Sequence, residues 1–384
     1  MNIKKMTVSL ALASAMTLTA VTAASYAETT TVSVTMEYSA AKATEAKSYE
    51  FDYARDGDSY TISGYKGKSE NIIIPSKING KPVSTIKSMG NSTTLKSVTI
   101  PSCVDSIWGG AFDQCSSLES IKVDSKNENY FSKDGVLFTN IFGDNCLYAY
   151  PCNRKGTTYT VPSGVEEINH RAFSGTKNLQ NLKIPSSVKN MSGSCFADSE
   201  SLRNITVDKK NKSFYSKNGV LFQKYENYFN TGKRIELIAY PTGRTNGKYT
   251  IPDGVNKIDI YAFSGCKKIK SVSVPDSVKD IGGSAFLNCT NLKKIVLSKN
   301  LSSIDPSTFE GCSSLESITV PETATMIGYD AFSGCTSLKN VELPSTLTLI
   351  GPNAFSCCCY VKVTYKGKTY NYDNIDKLLK KVNK

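Results

Sequence analysis

The chain has 384 residues, of which 40% are hydrophobic and 21% charged, with a formal net charge of +12, twelve cysteines and one histidine. A single histidine leaves general acid–base catalysis poorly supplied, and no lysine/arginine run with interleaved aromatics suggests a nucleic-acid partner. The lysine excess is spread out; it reads first as a solvated surface and second as affinity for an acidic polymer, such as a cell-wall teichoic acid or a sulfated or sialylated glycan.

Residues 1–27 read as a secretory signal. Lys4 and Lys5 form a basic start, Met6 to Val21 is a mostly apolar run without charge, and Ser25 and Ala27 are small residues placed for cleavage after Ala27. No cysteine sits at that point, so a lipid anchor is not expected. No second apolar run of spanning length follows, so no membrane span is expected after removal of the signal. Residues 28–75 read as a leader and N-terminal cap, with strands at Tyr49 to Tyr53, Tyr60 to Ser63 and Ile72 to Ile74. Asp56, Gly57 and Asp58 supply the turn between the first two.

From residue 76 to 360 the chain repeats itself. Phe263, Phe286, Phe309, Phe332 and Phe355 follow one another at 23 residues, and each is followed three residues later by Cys266, Cys289, Cys312, Cys335 or Cys358. One copy carries Leu315, Ile318, Val320, Pro321, Ala324, Ile327, Ala331, Phe332 and Cys335; another carries Leu95, Val98, Ile100, Pro101, Val104, Ile107, Ala111, Phe112 and Cys115. Ile318 and Val320 alternate with Ser317 and Thr319, the pattern of a half-buried strand. Pro321 ends it, because proline cannot donate to a ladder. Ala331-Phe332 is expected to open a short helical turn, with Phe332 filling the core. A fixed period of this length means stacked copies of one supersecondary unit, each sharing its apolar face with its neighbours.

Two rungs carry insertions, at 124–161 and 208–251, and the insertions are copies. NENYFSKDGVLF (127–138) matches NKSFYSKNGVLF (211–222), and LYAYP (147–151) matches LIAYP (237–241), as if an 84-residue block had been duplicated. Asp134-Gly135 and Asn218-Gly219 are hairpin-turn pairs, so each insertion is expected to be a hairpin or three-stranded flap projecting from one edge. Residues 361–384 read as a C-terminal cap: a hairpin around Lys366-Gly367, then a helix with Ile375, Leu378, Leu379 and Val382 on one face.

The cysteines need separate readings. Cys115, Cys266, Cys289, Cys312, Cys335 and Cys358 share one slot, and stacked side chains point the same way, so they are expected to form a packed column of small, buried, free thiols. Cys146 and Cys152 lie outside the slot and flank a short strand, where a local disulfide is the alternative. Cys357, Cys358 and Cys359 are consecutive and read as packing at the cap.

The rung matches the Leu-x-x-Leu-x-Leu core of leucine-rich repeats. More specifically, the Ile-Pro pairs (Ile100-Pro101, Ile184-Pro185, Ile251-Pro252), the Ala-Phe-Ser-Gly-Cys motifs (Ala262 to Cys266, Ala331 to Cys335) and the two Gly-Val-Leu-Phe hairpins resemble the BspA-like, or Treponema pallidum-type, repeat of bacterial surface proteins. The resemblance covers roughly residues 51–372. It implies a right-handed, β-rich horseshoe solenoid with a parallel sheet, short helical turns, the two hairpin insertions and a cap helix. It also implies export and a role in adhesion or in binding proteins or glycans, without naming the ligand.

No catalytic residues, metal ligands or cofactor are expected. His170 sits in an edge loop whose equivalent slots hold Gly109 and Ile260, and no phosphate-binding loop or spaced Cys-x-x-Cys pair occurs. Two surfaces remain as binding candidates. One is the outward face of the parallel sheet, a polar ladder that includes Asn181 and Asn204. The other is the second insertion, whose longer loop holds Tyr225, Tyr228, Phe229, Lys233 and Arg234, types favoured at interfaces. The expectation is a monomeric extracellular or cell-surface binding protein for a protein or glycan; the rival is a structural component of the cell envelope held by charge.

Overall fold

The computed structural model describes residues 44–45, 47, 50–113, 115–141, 143, 145–226 and 232–383. The expected signal and leader up to residue 43 lie outside these, as do Tyr228 and Phe229. Residues Ala41–Lys384 form one unit.

The rung around Phe332 shows how the repeat folds. Ser317–Thr319 is exposed, buried, exposed in turn, and it pairs in parallel with the next rung, Ile318 opposite Val341. The sequence period of 23 is therefore the register of the ladder. Past Pro321 the chain turns, and Met326–Ile327 pairs in parallel with Leu349–Ile350 in a second ladder on the returning side. These are called the front and back ladders. A turn closed by Cys335 N donating to Phe332 O (3.1 Å) returns the chain to the front. The architecture is thus a leucine-rich-repeat β-solenoid with mostly parallel strands. The expected helical turn is a 3₁₀ turn at Gly193–Phe196 and a hydrogen-bonded turn in the rung of Phe332.

The phenylalanines stack. Ring centroids are 4.8 Å apart for Phe263–Phe286, 5.4 Å for Phe286–Phe309, 5.6 Å for Phe309–Phe332 and 5.5 Å for Phe332–Phe355, with the rings within 15° of parallel. Tyr240 continues this column 5.1 Å from Phe263, and Tyr150 stands 5.2 Å from Phe173. The backbone agrees: Tyr150 N donates to Ala172 O and Tyr240 N to Ala262 O, just as Phe263 N donates to Ala285 O. The two tyrosines lie 23 residues before Phe173 and Phe263. LYAYP and LIAYP are therefore the returning halves of complete rungs, and the residues added to each rung are the hairpin between its front and back strands.

The cysteine column is buried as expected, but its thiols are more than apolar filler. Cys289 Sγ donates to Phe263 O (3.0 Å), Cys312 to Phe286 O (3.2 Å), Cys335 to Phe309 O (3.1 Å) and Cys358 to Phe332 O (3.1 Å). Where serine takes the slot, Ser199 Oγ makes the same bond to Phe173 O (2.6 Å). In the cysteine rungs the phenylalanine carbonyl, which already closes its own turn by accepting the amide three residues on, takes a second hydrogen bond from the rung above, so both of its lone pairs are used in the core. Burial pushes the thiols of Cys115 and Cys358 up to about 12 and those of Cys289, Cys312 and Cys335 well above the ordinary range. Cys152 is a free thiol that donates to Cys115 O (2.7 Å), so no disulfide joins it to Cys146. The triplet also departs from expectation: only Cys358 packs, while Cys357 and Cys359 are exposed.

Both ends are covered. At the N-terminus Phe51–Asp56 and Ser59–Tyr65 form an antiparallel hairpin turned at Gly57, and Ser59–Tyr65 pairs in parallel with Lys81–Ile86. At the C-terminus Lys368–Asn371 folds back on Lys362–Tyr365 and ends the front ladder. The helix Ile375–Val382 then buries Leu378 and Val382 against the last rung. Beyond it, Asn383 donates Nδ2 to Ile350 O and accepts Ile350 N on Oδ1, both at 2.8 Å. A side-chain amide thus imitates the missing next strand of the back ladder. Among the described residues no helix is long and apolar enough to cross a membrane.

Candidate functional site

The two hairpins interrupt the stacking rule within the repeats, so their geometry bears on where a site can be. Their inner strands are Tyr130–Lys133 with Val136–Thr139, and Phe214–Lys217 with Val220–Tyr225, each antiparallel. The turns hold Asp134 (φ 51°) and Gly135 (φ 76°), and Asn218 (φ 51°) and Gly219 (φ 78°), the two successive left-handed residues of a type I′ turn. Cys146–Ala149 and Arg234–Ala239 add the third strands, which pair onward in parallel with back strands Glu167–Ile168 and Lys257–Ile258. The hairpins are therefore three-stranded, but they do not project. Val136–Thr139 is buried along its whole length. Its alternate side chains enter different cores: Leu137 packs with the N-terminal stack, Val136 and Phe138 with the middle one. Leu221 likewise packs with the middle stack, and Val220 and Phe222 with the C-terminal one. Each hairpin is a wedge between stacks, held in place because a strand's side chains alternate.

The bases of the two wedges are built alike. Asn127 Nδ2 donates to Pro101 O (3.0 Å) and Val104 O (2.8 Å), while its Oδ1 accepts Asn129 N and Tyr130 N. Asn211 repeats this with Pro185 O and Val188 O (2.9 Å each), Ser213 N and Phe214 N. Both tyrosine rungs are also two residues short in the turn, three residues from Leu147 to Tyr150 against five from Ile168 to Phe173. The following rung leans across the gap. His170 lies against Gly109, and Arg171 pairs with Asp113; in the second block Ile260 O lies against Gly193, and Gly193 N donates to Asp259 Oδ2 (3.0 Å). A side chain at Gly109 or Gly193 would collide with that loop.

The outer ends differ. The second hairpin's strands run two residues further, to Tyr225 and from Arg234, which face each other across the ladder. That extension forms one wall of a cleft of about 390 Å³. Gln223 and Tyr225 line it from the hairpin, and Glu167, Ile168, Asn169, His170, Asn190, Met191 and Ser192 from the back ladder of the two preceding rungs. His170 Nδ1 shares a hydrogen bond with Asn169 Oδ1 (3.2 Å). The walls combine amide, hydroxyl, carboxylate and imidazole groups, which can hydrogen-bond a polar ligand, with the side chains of Ile168 and Met191 and one phenol ring.

The residues expected to form a site are thus divided. Tyr225 lines the cleft. Arg234 stands behind it: its Nε lies 2.8 Å from Glu236 and its Nη2 3.8 Å from Asp280. Burial raises the pKa of Glu236, and the adjacent Lys257 and Arg234 oppose that shift; Arg234 is committed to holding this carboxylate. Lys233 is exposed and pairs with Glu226 at 3.4 Å. Asn181 and Asn204 are opposite one another on the front ladder, where the hairpin tip at Gly219 closes over Asn204. The structure therefore places them at the opposite end of the wedge from the cleft. No group of three or more His, Cys, Asp or Glu side chains among the described residues is arranged to hold a metal.

Known proteins bear on this arrangement. The model of the BspA type leucine rich repeat region matches in six copies, over residues 65–146, 140–228 and 242–362. The chain belongs to this family. A solved leucine-rich cell surface protein from Faecalibacterium prausnitzii A2-165 is similar to it at 27% identity and a TM-score of 0.52, over 84% of this chain and 95% of that one. A leucine-rich repeat protein from Eubacterium ventriosum matches at 20% identity and TM-score 0.48, covering 82% and 88% of the two chains. The pneumococcal vaccine antigen PcpA matches at 20% and 0.47, covering 84% and 88%. No curated protein matches. The family match runs through the first hairpin and into the second, to residue 228; the extended outer end of the second hairpin is a difference between this chain's own two blocks.

Proposed function

We propose that the protein is a non-enzymatic recognition module, displayed at the cell surface or released from the cell, that binds a saccharide-containing ligand in the cleft beside the second hairpin. The observation that carries this reading is the asymmetry of the duplicated hairpins: the bases are alike, and only the second continues past Gln223 to Tyr225, which lines the cleft together with Gln223, His170 and Asn190. A polar cleft with a single aromatic wall offers a sugar ring both hydrogen bonds and a face to stack on. The solved relative from F. prausnitzii is described as a cell surface protein, which supports the location. Burial of the column thiols supports a non-enzymatic reading, because the thiolate is the reactive form.

The test is a glycan array followed by titration of the best ligand. Replacing Gln223 and Tyr225 together by Ala is expected to weaken binding at least tenfold while stability stays within about 0.5 kcal/mol, as for other surface changes. Undiminished binding by that variant would remove the cleft from consideration.

A further inference from the structure

A second surface stands apart from the cleft. On the front ladder Lys248 and Lys294 flank Ser271 in direct register, one rung to either side. In the adjoining column Lys293 N donates to Lys270 O, so those two residues also lie on neighbouring rungs. Strand spacing places four ammonium-bearing residues within about two rungs, roughly 10 Å. The stem of Lys270 packs over Gly247, its Cδ 3.6 Å from where a Cβ would be, so Lys270 leans towards the rung of Lys248.

Elsewhere the chain neutralises such lysines across rungs. Lys96 meets Glu70 at 2.8 Å, Lys189 meets Glu166 at 2.7 Å and Lys267 meets Glu200 at 2.6 Å. Among the described residues Lys248, Lys270, Lys293 and Lys294 make no ion pair within 4 Å, and all four are exposed. The next carboxylate in the column is Glu316, one rung beyond Lys293. Like charges held this close repel one another, and a ligand that supplies dense negative charge relieves the repulsion. Ser271 lies between Lys248 and Lys294, Thr250 and Ser273 lie two residues further along the strands, and all three add hydroxyl donors.

We propose that this face binds a heavily sulfated linear polysaccharide laid across the rungs. The density of charge favours that ligand: a sulfated polysaccharide carries several anionic groups on each disaccharide, whereas a poly(alditol phosphate) carries one per repeat. The interaction is independent of the hairpin cleft.

Binding of a size-defined heparin oligosaccharide, measured against salt, tests it. Changing Lys248, Lys270, Lys293 and Lys294 to Gln is expected to weaken binding at least tenfold and to flatten the salt dependence, since fewer counterions are exchanged. The same change at the paired lysines Lys66, Lys96, Lys189 and Lys267 removes equal charge and is expected to change affinity less than threefold. Lysine acetylation of the unaltered protein, read by mass spectrometry with and without the oligosaccharide, is expected to show protection concentrated on the four; this arm does not depend on a variant folding. Equal loss in both variants, protection spread over the whole surface, or tighter binding of poly(glycerol phosphate) than of the heparin oligosaccharide would each overturn the proposal.

Discussion

The two hairpins share sequence, turn type and anchoring, and they part company only at their outer ends. The first stops at Thr139 and resumes at Cys146; the second runs to Tyr225 and resumes at Arg234. The shared part is what the solenoid requires: a two-faced strand feeding one core from each side, and an asparagine that satisfies the turn of the rung before. In the unshared part Ile235 packs against the C-terminal core and Arg234 holds the Glu236 carboxylate, whereas Tyr225 lines the cleft. The comparison therefore separates residues held by the fold from residues left over for recognition.

The wedge is where the comparison is easiest to break. Leu137 and Leu221 are fully buried and occupy equivalent positions. Truncating either to Ala is expected to cost about 2–5 kcal/mol in denaturant titrations, the range for a buried leucine. Similar losses in the two variants would support equivalent wedges; a large loss in only one would show that the duplication is not matched in energy. The anchors come next. Asn127→Ala and Asn211→Ala each orphan carbonyl and amide groups, at roughly 1–3 kcal/mol for a buried unsatisfied group, and the two costs are expected to be equal within error. Cys152 Sγ in one block is matched by Thr242 Oγ1 in the other, donating to Cys115 O and Ser199 O in turn.

A smaller effect separates the hairpin blocks from the regular C-terminal rungs. In the blocks the thiol slot holds Thr176 and Ser199, whereas the C-terminal rungs hold cysteines throughout. A thiol whose folded pKa is raised keeps its proton longer in the folded state. Its contribution is fully present below the unfolded value of about 8.5 and is lost as pH rises towards the folded value, by at most about 1.4 kcal/mol per pH unit for each thiol. For Cys358 that folded value is about 12. Urea midpoints between pH 8 and 10 should therefore fall, and the slope should flatten when Cys312 and Cys335 are both replaced by Ala. An unchanged slope would show that these thiols are not buried in solution.

What the sequence revealed follows from what repeats. Strand placement, the phenylalanine column, the hairpin turns and the cap helix all rest on a period of 23 or on local turn chemistry, so residues such as Ile318, Gly219 and Leu378 announce their positions. Tyr150 and Tyr240 were harder to see, because the column changes residue type there and the rung loses two residues. Their spacing to Phe173 and Phe263 is the signal that finds them. The hydrogen bonds of the thiols were hidden by the ordinary reading of cysteine as a small apolar residue; Ser199 in the same slot is the hint that a donor is wanted. The cleft was illegible for a physical reason. It forms where the end of one hairpin meets the back ladder of rungs about 30–60 residues earlier, such as Asn190 and His170, and no local pattern encodes that meeting. Arg234 looked like an interface residue by type, and only the position of Glu236 shows it to be committed inward.

A hairpin exchange tests the central claim most directly. The segment between Phe222 and Leu237 is replaced by the shorter one between Phe138 and Leu147, and ligand affinity and unfolding free energy are both measured. The expected result is a folded protein, destabilised by no more than about 1 kcal/mol, that has lost binding to the ligand identified on the array. A folded exchange variant that still binds, or one that fails to fold, would contradict the division between a structural base and a recognising end.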